Sequence, residues 1–416
     1  MNENRIVEAI RLAKEIGGKD GLNCIAELDE NASVEECECA EDAHSLPLYG
    51  VPVLVKDNID VKGFHTNAGS LALADNIAKD DAPVIRNLRR NGAVIIGKSN
   101  MTEFANFVST KMPGGYSSHG GQVIHAVKPG LDPSGSSTGS AVAVAAGIVP
   151  MAVGTDTSHS VTACAMENGI CGLKPPAGVL SQEGIIPISK TFDSAGAMAQ
   201  NVSDLFKLYS AMRDEPLPEI RPAQARGLRI AVNTTNFDMN PEEQRSFHNN
   251  VIETLRNNGA VISEVSEPLP PQLLTIMKYE FRPGLEEYLG KSKAKLKTLK
   301  EIVEFFESHP DTMMKYGYDL LHDAFYDAPS DEEYKDALKA REEAIGSVTE
   351  KISDFDAVMV TGPSFIMHFC GLPTITVAGS SLDTNGMRQA VILYGTDEYR
   401  LYSAALTVEQ LLNPQA

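Results

Sequence analysis

The rhythm of strands and helices in the sequence predicts an α/β protein, and it permits one large, twisted, mixed and mostly parallel β-sheet with helices on both faces. Three observations carry that expectation. Short runs of apolar β-formers, such as Val51 to Val55, have strand length and are apolar on both sides, as strands covered on both faces are. Helical patterns of eight or more residues alternate with these runs, the rhythm of strands joined by helical crossovers. A chain of 416 residues at 43% hydrophobic can also fill one large core.

Taken in order, a helix is expected from about Asn4 to Ile16, followed by a second apolar segment, LNCIAELDENA, and an acidic approach to the core. Val51 to Val55 then form a buried strand that ends on Lys56. The pattern APVIRNLRRNGA predicts a helix from about Pro83 to Asn91 closed by Gly92, and AVIIGKSN the next strand. Residues 113 to 140 are rich in Gly, Ser, Pro and Thr, after which AVAVAAGIV is apolar all round, as a buried helix is. PMAVGTDT reads as another buried strand. Beyond an Arg/Pro/Ala linker near 216 to 227, the rhythm repeats with GLRIAVN, a helix near 242 to 257 and GAVISEV. Residues 270 to 350 are charged and helical in pattern and are expected as an outer layer. Strands return at DAVMVTG and LPTITVAG, before a helix near 407 to 412. The expected organisation is one domain over 1–416: an N-terminal helical segment (1–45), a catalytic core (46–205), a variable, largely helical outer region (206–350) and a return to the core sheet (351–416).

Charge excludes some partners. With 36 basic against 56 acidic residues, the net charge of -20 opposes any sequence-independent grip on nucleic-acid phosphates or anionic lipid. The N-terminus lacks a basic region followed by an apolar one, and no window approaches 18 uninterrupted apolar residues, so the expected location is cytoplasmic, without membrane insertion. Six cysteines, Cys24, Cys37, Cys39, Cys164, Cys171 and Cys370, form no CxxC pair and fit a reducing compartment. Cys37 and Cys39 fall in a run from Glu27 to Asp42 that holds eight carboxylates and no Lys or Arg, and they read as free thiols on a solvated face.

The chemistry concentrates in GTDTSHSVTACA, where His159 stands between Ser158 and Ser160. A serine hydroxyl needs a base to take its proton. His159 does not suit that role for Ser160, because adjacent side chains point apart, and it reads as a hydrogen-bonded loop residue. Lys56 is another candidate. At the end of an apolar strand, burial disfavours its ammonium form and lets a neutral amine act as base. The alternative for Lys56 is a buried ion pair with Asp57 or another carboxylate.

Together, GVPVLVKDN with Lys56, GSSTGSA with Ser136 and GTDTSHS with Ser160 resemble the amidase signature family of amide hydrolases, including the spacing of 24 residues between the two serines. GKSNMTEFA, GYSSHGGQV, GLKPPAGVLSQEGIIP, FDSAGAMAQNVSDL and GLPTITV extend the resemblance over most of 20 to 205 and part of 354 to 395. GYSSHGGQV, DPSGSSTGSAVAVAA and EGIIPIS look most similar to peptide amidases, which remove the C-terminal carboxamide of peptides. The resemblance implies the amidase signature fold, no cofactor or metal, and a small-molecule or peptide amide as substrate; monomer and homo-oligomer stay equally open. It implies Ser160 as nucleophile, Ser136 as proton relay and Lys56 as base. It further implies a cis peptide bond at Ser136, and an oxyanion hole from the backbone amides of Thr157, Ser158, His159 and Ser160. Ser137 and Asp156 would be supporting hydrogen-bond groups or simply turn-forming residues.

The chain departs from the family pattern in three places. Ser158-His159 replaces Gly-Gly or Asp-Gly before the nucleophile, and if that position takes φ > 0 the histidine is strained. The family's arginine two or three residues after the nucleophile is absent, with Thr162 and Ala163 there, which points to a neutral amide rather than a substrate bearing a carboxylate. Cys164 and Ala165 occupy the region of the usual proline. Two alternatives follow: a catalytically degenerate amidase-fold binding protein, and the A-type component of a glutamine amidotransferase. The base of a Ser/His/Asp hydrolase would come from His119, His125 or His368. A phosphate-loop reading of GLDPSGSS fails because no Lys follows the last glycine.

Overall fold

Side-chain alternation along the strands builds the protein. In the computed structural model, which describes residues 2–34, 43–267 and 269–414, Val53 and Val55 enter one core while Leu54 enters another on the opposite face. The same split places Met151 and Val153 on one side and Ala152 on the other, as period-2 geometry requires.

Among the described residues the strands are β1 (Ile25–Leu28), β2 (Val51–Lys56), β3 (Ala93–Ser99), β4 (Tyr116–Ser117), β5 (Gly121–Gln122), β6 (Met151–Asp156) and β7 (Cys171–Lys174). They continue as β8 (Ser194–Ala199), β9 (Arg229–Asn233), β10 (Val261–Val265), β11 (Ala357–Val360), β12 (Thr374–Leu382) and β13 (Arg388–Tyr394). Eleven of them make one sheet in the order β1-β3-β2-β6-β8-β7-β12-β13-β11-β9-β10, and β4 with β5 forms a separate hairpin. The sheet is mixed as expected, but antiparallel pairs outnumber parallel ones, which corrects the expected parallel majority. Parallel pairing is confined to β2 with β3 and β6, and to β9 with β10 and β11. Those pairs use helical crossovers such as Pro83–Arg90 and Glu242–Asn257; the centre, β6 to β13, reverses direction at each step, as in the short connection from β12 to β13.

One face carries the helices Pro83–Arg90, Val202–Met212, Glu242–Asn257 and Glu398–Leu412. The other is covered by Asn2–Glu15, Thr138–Ala145 and Thr162–Glu167 and by five helices between Gln272 and Ile352. These five are more than the expected outer layer. Phe281 and Phe306 are buried against Phe104 and, in the case of Phe281, against Phe107, giving that half of the sheet its core. The region 206–350 contributes β9 and β10 at the expected GLRIAVN and GAVISEV, and the N-terminal segment contributes the edge strand β1 beside its helix. Cys37 and Cys39 lie outside the described residues, whereas Cys24, Cys164, Cys171 and Cys370 are buried free thiols.

The helix Thr138–Ala145 approaches its neighbours closely through Gly139. A Cβ there would lie 2.3 Å from the Asn100 carbonyl oxygen and 2.5 Å from that of Cys24. Gly139→Ala would gain about 1 kcal/mol of helix propensity. Both obstacles are backbone, so the clash should win, with a net loss of about 1–3 kcal/mol read from the midpoint of urea unfolding.

Candidate active site

Lys56 follows the buried run of β2 and is itself wholly buried. Its Nζ lies 2.7 Å from Ser136 Oγ, 2.8 Å from Thr155 Oγ1, 3.0 Å from Ser137 Oγ and 3.2 Å from the Thr155 carbonyl oxygen. No carboxylate among the described residues forms a salt bridge with it. Asp57, the ion-pair alternative, sits 4.0 Å from Lys98 Nζ instead and accepts the Gly69 amide. Burial pushes Lys56 down to about 7; Cys164, Asp156 and Asp193 oppose that shift. Burial holds the Cys164 thiol up at about 12, so at neutral pH the opposing charge is that of the carboxylates. A neutral amine has two N–H donors and one lone pair, so it can accept the Ser136 hydroxyl proton at its shortest contact and donate to two of the other three oxygens.

The serine-rich loop is tied to β6 by Ser137, whose Oγ donates to the Thr155 carbonyl (3.0 Å) and accepts the Thr155 amide (3.2 Å). Gly154 makes room for it, since a Cβ there would come within 2.6 Å of Ser137 Oγ. The Gly135–Ser136 peptide bond is cis. The Ser137 amide donates to the carbonyl of Ser160 (3.2 Å), which brings the loop against the turn that follows β6.

Asp156 organises that turn. Oδ1 accepts the His159 amide (2.8 Å), and Oδ2 accepts the amides of Val161 (2.8 Å) and Thr162 (3.2 Å). The His159 amide is thereby taken up inside the turn, which removes one of the four donors the resemblance implied for an oxyanion. Those of Thr157, Ser158 and Ser160 donate to no turn or side-chain acceptor among the described residues. Ser160 is buried, and its hydroxyl makes no hydrogen bond within the described residues. His159 does adopt a left-handed backbone, with φ +88°. Positions 162 and 163 offer no cation, and Thr162 is fully buried.

None of the three other histidines bonds to Ser160. His125 is a loop residue, its Nε2 donating to the Glu167 carbonyl (2.8 Å), and His119 contacts Asn67. His368 bonds to His159. Sequence reasoning missed Thr155, Asn58 and Asp193. Asn58 Nδ2 donates to Thr155 Oγ1 (3.1 Å) and so fixes a neighbour of Lys56. Asp193 accepts the Thr157 hydroxyl (2.6 Å) and the amides of Ile188 and Ser189, and burial raises it to about 6. FDSAGAMAQ carried the signal for Asp193, but nothing local marks its long-range bond to Thr157. A surface hollow of about 450 Å³ between 219–228 and the helix Glu398–Leu412 shares no residue with this cluster, so volume does not mark the site here. Among the described residues, the side chains close enough to share a cation, His322, Asp323 and Asp327, also lie outside it, and Asp323 is already paired with Lys278.

The likeness to known proteins defines the class, a hydrolase acting on linear amides. The chain belongs to the amidase family, whose model matches residues 9–366. It is 30% identical to a probable amidase of Arabidopsis thaliana over 87% of this chain and 77% of that protein. It is also 35% identical to the indoleacetamide hydrolase of Pseudomonas savastanoi over 64% of this chain and 58% of that one. A glutamyl-tRNA(Gln) amidotransferase subunit of Deinococcus deserti is 30% identical over 89% and 85% of the two chains. Among solved structures, the native peptide amidase of Stenotrophomonas maltophilia superposes with a TM-score of 0.87 at 30% identity, covering 99% of this chain and 93% of that one. An amidase family protein of Bacillus anthracis gives 0.90 at 28% identity, over 99% and 88%. No helix among the described residues is long and apolar enough to cross a membrane.

Proposed function

We propose that the protein cleaves a neutral carboxamide through an acyl-enzyme on Ser160, with Ser136 and Lys56 as its proton relay. The observation that carries this reading is the 2.7 Å contact between a fully buried Lys56 Nζ and Ser136 Oγ, with no carboxylate among the described residues paired to the lysine. Ser160 Oγ attacks the amide carbonyl carbon, its proton passes to Ser136 Oγ, and the Ser136 proton passes to Nζ. The amides of Thr157, Ser158 and Ser160 receive the oxyanion. The C–N bond then breaks as the relay runs backward and protonates the leaving nitrogen. Water, deprotonated by the same relay, releases the acid.

A neutral substrate is supported by the absence of a cation at Thr162 and Ala163, and by Phe365, an exposed aromatic ring whose centroid lies 4.9 Å from that of His159. The same absence disfavours glutamine, the substrate that the amidotransferase alternative would hydrolyse. Relatives named for peptide amide and indoleacetamide hydrolysis support a carboxamide. Hydrolysis of indole-3-acetamide and of a peptide amide should exceed that of glutamine by roughly 100-fold or more in kcat/KM, read by ammonia release.

The pH dependence follows from the lysine. Its pKa is lowered to about 7, so below pH 7 the ammonium form dominates and cannot accept a proton. The kcat/KM of the wild type should therefore rise with pH through about 7 and level off above it. An acid limb lying wholly in the carboxylate range near pH 4 would contradict Lys56 as base.

A further inference from the structure

Resting on that reading, we propose that the His159 side chain is a positioning residue that clamps the nucleophile turn onto the Ser364–Phe369 segment through a fixed imidazole pair with His368. The argument begins with the backbone. At φ +88° glycine is free of strain and an L-residue is not, so the histidine has to offset that cost through its side chain.

Its contacts show how. Nε2 lies 2.6 Å from the Ser364 carbonyl oxygen, and a carbonyl only accepts, so Nε2 carries the hydrogen. In a neutral ring Nδ1 is then bare, and His368 Nε2, 3.0 Å away, must donate to it. The two rings meet edge to face with centroids 4.1 Å apart. His368 in turn keeps a bare Nδ1, which lies 3.3 Å from Asp156 Oδ1 without the alignment of a hydrogen bond. One sequence of donors therefore fixes both tautomers and links Asp156's turn to the segment after β11. Burial lowers both imidazole pKa values; Asp156 opposes the shift for His159, and Lys174 reinforces it for both rings. Thr162 Oγ1, 3.4 Å from His159 Nδ1, is the other polar neighbour of that nitrogen.

The clamp bears on the chemistry through its two ends. One end is the residue immediately before Ser160, flanked by the amides of Ser158 and Ser160, which have no acceptor among the described residues. The other is the carbonyl immediately before Phe365, the exposed ring that packs edge-on against His159. Losing the clamp should loosen the oxyanion donors and the aromatic wall together, and displacement of such groups costs rate rather than folding.

His159→Gly removes the imidazole and relieves the backbone, so the variant should fold with a melting temperature close to that of the wild type. Its rate of inactivation by a fluorophosphonate and its kcat should fall roughly 10- to 100-fold, with KM changed much less. His368→Leu should show the same loss, His368→Gln, which keeps a donor, should recover part of it, and His159→Gly/His368→Leu should be no slower than the slower single variant. A His159→Gly enzyme that labels and turns over as fast as the wild type would overturn the clamp while leaving the hydrolase reading intact. A wild type that never labels would instead sink the hydrolase reading. In that event the pair is still decided by 15N NMR of histidine-labelled protein: both rings should be Nε2–H tautomers, and a proton on His159 Nδ1 would refute the arrangement.

Discussion

Replacing Ser160 by alanine should lower amide hydrolysis by roughly 10⁴-fold or more while leaving the melting temperature near that of the wild type. The first half of that expectation follows from covalent catalysis, because Ser160 carries a hydroxyl unengaged among the described residues and its carbonyl accepts the amide of Ser137, the neighbour of the relay serine. The second follows from the same fact. Ser160 Oγ bonds to nothing among the described residues, so removing it breaks no hydrogen bond and leaves no partner unsatisfied. Ammonia release and thermal unfolding on the same sample check both halves. A variant that keeps more than about a tenth of the wild-type rate would show that the nucleophile lies elsewhere.

Lys56→Met should reduce kcat/KM by roughly 10²- to 10⁴-fold, the usual contribution of general acid–base catalysis. Methionine is a sound probe because it fills a similar volume without a charge or a proton acceptor. The residual activity should also lose its rise through about pH 7, since the group responsible for it is gone. That second readout separates a base from a packing residue. A variant of low activity that retained the pH step would assign it to another group, and Asp193, raised to about 6 by burial and bonded to Thr157, is the one to examine.

Much of the site was legible because its signals are local. The run Val51 to Val55 gave the strand, its last residue gave the buried lysine, and the stretch around Gly154 gave the strand that delivers the turn. The departure at His159 was also legible, because only backbone geometry was at issue and the left-handed φ is there. What was not legible depends on partners distant in the chain. The strands Cys171–Lys174 and Ser194–Ala199 are short and poor in β-branched residues, and their antiparallel pairing is set by β6 and β12 rather than by their own pattern. The helices between 272 and 352 read as charged surface, yet Phe281, Leu285 and Phe306 are fully buried against a segment about 180 residues earlier. In the turn itself, the sequence could not show that Asp156 captures the His159 amide, or that the histidine ring finds Ser364 and His368 more than 200 residues away.

Intact-protein mass after reaction with a fluorophosphonate, measured on the wild type, Ser160→Ala, Ser136→Ala and Lys56→Ala, tests the relay most directly. The wild type should gain one adduct, mapped by peptide mass to Ser160. Ser160→Ala should gain none, and the other two should label far more slowly. No adduct on a folded wild type, or an adduct on Ser160→Ala at the wild-type rate, would contradict a Ser160 nucleophile activated by Lys56 through Ser136.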